Sequence, residues 1–196
     1  MCYYFIGRHT YIKYFINKLL FFRKIVYLYI LVYMKIIKNF LVDLTEIFFS
    51  NSYDEIIPNI YLGNKNSAKD YNLVNKLTLI VNCSEDIPFY FTQKKLNRFR
   101  VSVPDDQSLD SNLRIITYIK PILPIIHRCY LDKQKILIHC RAGSQRSATL
   151  LACYLIKYHN FTKNMAITYI KSKRSIAFFP GPNFNITLEI FSKQNR

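Results

Sequence analysis

Residues 135–158 constrain this chain more than any other stretch. An apolar run, Lys135 to Ile138, leads into His139-Cys140-Arg141-Ala142-Gly143-Ser144-Gln145-Arg146-Ser147, and a second apolar run, Ala148 to Tyr158, follows at once. The first run is apolar on both faces, as a buried parallel strand is, and the second has helical length. A strand, a tight loop with one glycine and a helix leave little freedom in geometry. The loop curls so that successive backbone N–H groups point inward, and the helix aims its positive end at the same spot.

The residue types in that loop fit one chemistry. Cys140 sits where N–H groups and a helix dipole stabilise a thiolate, the nucleophilic form. A phosphate group fits the same cradle, so the backbone of Arg141, Ala142, Gly143, Ser144 and Gln145 is the expected phosphate-binding surface. Arg146 offers a planar two-pronged donor to the phosphate oxygens. Gly143 supplies the positive φ that the curl requires. Ser147 is placed to donate a hydrogen bond to the sulfur, steadying it as a leaving group. The competing reading, a buried structural cysteine beside a helix cap, leaves the coincidence of His, Gly, Arg and Ser to chance.

From Ile56 onward the pattern alternates. Strands are expected at Asn59–Leu62, Leu77–Asn82, Phe99–Val103 and Ile136–His139. Helices are expected at Lys65–Leu73, Leu113–Leu131, Ser147–His159 and Thr162–Ser172, with a last one from about Asn183. Pro121 and Pro124 should end or kink the second of these. Such alternation implies an α/β three-layer sandwich, a mostly parallel central sheet flanked by helices. The loop then lies at the carboxyl end of a strand, where open α/β sheets bind ligands.

The H-C-x5-R-S stretch resembles the signature of cysteine-dependent protein tyrosine phosphatases, and the rest resembles their small dual-specificity branch. Pro58-Asn59-Ile60-Tyr61-Leu62-Gly63-Asn64 is similar to the opening of that catalytic domain. Val101-Ser102-Val103-Pro104-Asp105 is similar to the segment carrying the general acid. Gly181-Pro182-Asn183-Phe184 with Leu188 resembles, imperfectly, its terminal box. The pairing of Asn59–Asn64 with Val81-Asn82-Cys83-Ser84 is most similar to poxviral, virion-type members. The resemblance implies a cysteinyl-phosphate mechanism without metal or cofactor, acting on phosphotyrosine and phosphoserine/threonine in phosphoprotein substrates. It implies that Asp105, rather than its neighbour Asp106, protonates the leaving oxygen. His139 would orient the loop through its ring N–H, Asn183 would buttress the loop, and Arg174, in a basic cluster with Lys171 and Lys173, would steer a second phosphate or acidic flanks. Host cytoplasm, with packaging in a virion, is the expected location.

Charge and cysteine usage test this frame. The net charge of +16 favours anionic partners, although abundant Lys, Asn, Ile, Tyr and Phe also reflect A/T-rich codons. An RNA 5′-phosphatase using the same loop is therefore the alternative enzyme, without an evident arginine-rich RNA tract to favour it. A non-catalytic phosphopeptide-binding module conflicts with the intact Cys140, Arg146 and Asp105. Five cysteines show neither disulfide-framework nor metal spacing, which fits a reducing cytosol. Cys83 reads as a small core residue, with a disulfide to oxidised Cys140 as the other reading.

Residues 1–50 form an apolar, basic helical extension, and residues 51–196 the catalytic domain. The uncharged run Ile25 to Met34 is too short to span a bilayer. Three readings stand: a helix docking on the domain or on a second copy to make a homodimer, a basic interfacial membrane helix, or translation starting at Met34. Leu19, Leu20, Phe22, Val26, Tyr29 and Tyr33 recur at helical intervals, and Ile36, Phe40, Leu44 and Phe48 repeat the theme.

Overall fold

The computed structural model describes residues 23–27, 29–38, 41 and 51–194. The chain divides into two units, Met1–Thr45 and Glu46–Arg196. In the first, residues 23–27 and 29–38 are helical, and Val26, Tyr29, Tyr33 and Ile36 are exposed. Leu19, Leu20, Phe22, Phe40, Leu44 and Phe48 lie outside the described residues. Among the described residues no helix is long and apolar enough to cross a membrane.

The second unit is built on five strands: β1 (Tyr53–Ile57), β2 (Ile60–Gly63), β3 (Leu79–Asn82), β4 (Asn97–Arg100) and β5 (Ile136–His139). Their order across the sheet is β1-β2-β5-β3-β4. All pairings are parallel except β1 with β2. β5 takes the centre because its four residues are buried, as a continuous apolar run demands. Side-chain alternation then sorts its neighbours. Ile136 and Ile138 face the main core with Ile60, Leu62, Leu79 and Val81, whereas Leu137 and Ile80 face the other side.

The main core is covered by α2 (Leu109–Leu131), α3 (Arg146–Tyr158), α4 (Lys163–Lys173) and α5 (Asn185–Gln194). The opposite face is capped more thinly, by a 3-10 turn at Ser67–Lys69, α1 (Tyr71–Val74) and the segment before β4. The result is the expected three-layer α/β sandwich with a mostly parallel sheet.

Four local expectations are corrected. The helix expected over Lys65–Leu73 is broken in two, because the Asp70 carboxylate accepts N–H bonds from Asn72 and Leu73 and caps a new start. Pro121 and Pro124 do not end α2. Both lie on its exposed side, where the freed carbonyls are open to solvent, while Ile115, Ile119, Leu123 and Ile126 hold the buried face. The third strand is Asn97–Arg100, not Phe99–Val103. The ladder ends with the Val101 N–H on the Asn82 carbonyl, and the Val103 carbonyl accepts a bond from Arg146 instead. β1, which begins before Ile56, escaped notice because Asp54 and Glu55 interrupt its apolar pattern.

Candidate active site

The phosphate loop is shaped by where its carbonyls go. The carbonyl of Arg141 accepts the Lys65 N–H at 3.0 Å, and that of Ser144 accepts the Phe178 N–H at 2.7 Å. Between them, the carbonyls of Ala142 and Gly143 accept from the Arg174 guanidinium at 3.2 and 3.0 Å. Four successive carbonyls thus bond outward. Because each planar peptide carries its N–H opposite its C=O, the N–H groups of residues 142 to 145 turn inward. The Gly143 N–H lies 3.2 Å from the Cys140 sulfur. Gly143 has φ +68°, and a Cβ there would come within 2.5 Å of the Gly63 carbonyl oxygen, so no other residue fits. α3 starts directly behind the loop with no side chain capping it, leaving its first N–H groups aimed at the same cradle.

Cys140 is 1% exposed and its sulfur accepts a bond from the Ser147 hydroxyl at 3.1 Å. Arg146 is buried. Its Nη1 donates to the Val103 carbonyl at 3.2 Å, and its Nε stands 3.7 Å from an Asp105 carboxylate oxygen without a hydrogen bond. Asp105 is held from the other side by the Asn183 amide, Nδ2 to Oδ1 at 2.6 Å. The Asp106 carboxylate instead accepts the Ser108 N–H ahead of α2. Cys140, Arg146, Ser147 and Asp105 therefore converge, as the sequence places them.

Two expected roles look different in place. Arg174 is 1% exposed. Its fork is consumed by the two loop carbonyls, the Asn51 carbonyl at 3.0 Å and the Asp54 carboxylate at 2.6 Å. It is a strut under the loop, not a phosphate-steering group, while Lys171 and Lys173 are exposed. His139 is fully buried, and neither ring nitrogen has a hydrogen-bond partner among the described residues, so the expected ring N–H tether is not formed. Burial pushes its imidazole down to about 4, with the Cys140 backbone opposing and the charges of Arg100 and Arg146 adding to the fall. That shift favours the neutral ring. Asn183 reaches the loop through a side chain: its N–H donates to the Gln145 Oε1 at 2.9 Å. The Gln145 amide in turn donates to the carbonyls of Phe179 and Gly181.

Asp86 and Asp54 left no sequence signal. Asp86 forms an ion pair with Arg141, and Asp54 anchors Arg174. Burial raises the Asp86 carboxyl, but Arg141 outweighs it and leaves the group below its ordinary value. Cys83 is a free, fully buried thiol one step beyond the Asn82–His139 register pair, beside Cys140. Burial and the neighbouring Cys140 push its thiol well up, only partly offset by Arg146. No group of metal-ligating side chains occurs among the described residues.

A strand-borne cysteine, a carbonyl-out loop and an arginine facing an aspartate are thus gathered in one place. The profile of the dual-specificity phosphatase catalytic domain matches residues 60–194. The chain belongs to the dual-specificity phosphatase family. It is 34% identical over 127 residues to human dual specificity protein phosphatase 21, covering 64% of each chain. It spans about 60 to 64% of the length of that protein and of mouse dual specificity protein phosphatase 15. The 123R protein of Invertebrate iridescent virus 6, named for tyrosine phosphatases, is 27% identical over 140 residues, or 71% of this chain and 91% of that one. The crystal structure of human DUSP28 superposes with a TM-score of 0.66 at 22% identity, covering 74% of this chain and 95% of that chain, a likeness of fold.

Proposed function

We propose that this chain hydrolyses phosphotyrosine and phosphoserine/threonine in phosphoproteins through a cysteinyl-phosphate. The Cys140 sulfur attacks phosphorus in line, and the P–O bond to the substrate oxygen breaks. Asp105 gives that oxygen its proton, without which an aliphatic alkoxide is a poor leaving group. Arg146 and the inward N–H groups hold the equatorial oxygens through the transition state. Water then breaks the S–P bond, the Ser147 hydroxyl steadies the departing thiolate, and phosphate leaves. The observation that carries this reading is the juxtaposition of Ser147 Oγ, Cys140 Sγ, Arg146 and Asp105 in one buried cradle.

Turnover of phosphotyrosyl and phosphoseryl peptides beside a 5′-triphosphate RNA tests it. Hydrolysis of the peptides is expected, and turnover of the RNA alone would replace the protein substrate with an RNA end. A viral origin and host-cytoplasmic action extend the proposal, supported by the likeness to the iridescent virus protein and by the poxviral pairing of residues 59–64 with 81–84.

A further inference from the structure

The side chain of Arg141 takes no part in the steps above, although it follows the nucleophile directly. Its main chain belongs to the phosphate loop, with the carbonyl bonded outward to the Lys65 N–H. Its guanidinium turns to the loop after β3 and forms an ion pair with Asp86, Nη2 to Oδ2. The two side chains are 31% and 50% exposed, so the pair lies open to solvent at the start of the cradle. Asp86 is delivered there by a braced segment. The Asn82 amide donates to the Ile87 carbonyl at 2.7 Å, and its Oδ1 accepts the Ser84 N–H at 3.0 Å. Arg100 donates to the carbonyls of Ser84, Glu85 and Ile87, with its guanidinium 4.9 Å from the centre of the Phe89 ring.

Stability does not account for this arrangement, because an ion pair so exposed adds little to folding. What the pair changes is the field at the cradle. An unpaired guanidinium one residue from Cys140 would attract any anion flanking the phosphate. With 28 basic residues against 12 acidic ones, an unpaired arginine is the default state in this chain. Asp86 cancels that attraction and sets a carboxylate in its place. Burial raises the Asp86 carboxyl, but Arg141, with a contribution from the Arg146 charge, brings it below its ordinary value. Asp86 thus lies within the field of the arginine that faces Asp105 as well.

We propose that Asp86 is a positioning residue that sets substrate specificity: by holding Arg141 it withholds that guanidinium from the substrate, so a carboxylate beside the phosphorylated residue gains nothing there. The inference rests on the phosphoprotein reading above and deepens it. Specificity of this kind is built by cancelling an attraction rather than by adding a contact. A substrate carboxylate that reached Arg141 would exchange one carboxylate for another and leave Asp86 unpaired. The long-range field of the chain draws acidic flanks, but a change of one in a net charge of +16 leaves that field nearly unaltered. A comparison of parent and variant therefore isolates the local pair.

The experiment uses the full chain and phosphotyrosyl peptides in which Glu or Gln is placed singly at each flanking position, beside p-nitrophenyl phosphate. The readout is the ratio of kcat/KM for Glu over Gln, which cancels any change in basal activity. Asp86→Asn keeps the side-chain shape and removes its charge. At one flanking position it is expected to raise that ratio about fivefold over the parent, as one exposed charge contact does, through KM and less at high salt. Asp86→Asn combined with Arg141→Gln is expected to return the ratio to the parent value. Turnover of p-nitrophenyl phosphate, which has no flank, should stay within about threefold in Asp86→Asn. An unchanged ratio at every position overturns the proposal and leaves the phosphoprotein reading standing. A gain that survives in the double variant overturns it too, since Arg141 is then not its source. A loss of p-nitrophenyl phosphate turnover beyond about tenfold also overturns it, by making Asp86 a support of the loop itself. Hydrolysis of p-nitrophenyl phosphate with no turnover of any peptide overturns both.

Discussion

The phosphate loop and the acid loop face each other across one site and are built by opposite means. Residues 140 to 146 are fixed at their main chain: four carbonyls bonded outward to the Lys65 and Phe178 N–H groups and the Arg174 guanidinium, one obligatory glycine, and a helix starting immediately behind. Residues 101 to 108 belong to no strand or helix, and side chains place Asp105, chiefly the Asn183 amide. A cradle must present several donors at once to a transition state, so main-chain order serves it. A proton donor must serve leaving groups of different shape, and one carboxylate held by one amide suffices.

The comparison breaks first at the cradle. Cys140→Ser should lower kcat by about 10⁴-fold or more on every substrate, as loss of a covalent nucleophile does, while phosphate esters still bind. Arg146→Lys should cost about 10³-fold, because an ammonium cannot reproduce the two-pronged contact. Steady-state rates with aryl and alkyl phosphates check both. Appreciable turnover by Cys140→Ser would sink the thiolate mechanism.

At the acid loop the effect should depend on the leaving group. Asp105→Asn is expected to slow alkyl phosphates by about 10²-fold and aryl esters with acidic leaving groups far less. If Asp106→Asn shows this pattern instead, the acid is misassigned by one residue.

Beneath the cradle the strut offers a stability test. Asp54→Asn leaves the buried Arg174 guanidinium without its carboxylate, a change expected to cost about 3 kcal/mol in urea unfolding. Asp105→Asn, on the half-exposed acid loop, should cost much less. Equal losses would mean that the two loops do not differ in how they are held.

How far all this was legible follows from the same contrast. The groups that face the cradle fall within eight consecutive residues, so Cys140, Gly143, Arg146 and Ser147 could be read directly. β5 was legible because burial on both faces demands an unbroken apolar run. What long-range side chains build was not. Arg174 looked like a surface cation because its partners, Asn51, Asp54 and the loop carbonyls, lie up to 123 residues away. Asp86 and β1 were hidden for a related reason, since their charged residues are satisfied only by the tertiary fold.

Acid pH probes His139, the buried residue between the two regions. Its imidazole is held down to about 4, below the ordinary histidine value of 6.5. Between those values the unfolded chain binds a proton that the native state refuses, so stability rises with pH and is lost as pH falls from 6.5 toward 4. The full term is about 3 kcal/mol. Urea unfolding at pH 7 and pH 4.5 should show a smaller acid loss in His139→Asn than in the parent. Identical losses would mean that the ring titrates as an exposed one does.

The smallest catalytic effect is expected from the amino-terminal unit. Among the described residues, every bond that shapes the cradle comes from Asn51 onward, including the Asn51 carbonyl and the Asp54 carboxylate on Arg174. Chains starting at Met34 or at residue 51 should therefore keep kcat/KM on p-nitrophenyl phosphate within about twofold, since no group touching the transition state is removed. Association should change instead. Ile25, Val26, Tyr29, Ile30 and Tyr33 are all more than a third exposed and share one helical face, which water does not stabilise. Light scattering should report a larger species for the full chain than for either shorter one, and anionic vesicles should not retain it. Vesicle flotation of the full chain alone would exchange the self-association proposal for the interfacial one. A monomer in all three chains, without flotation, would remove both.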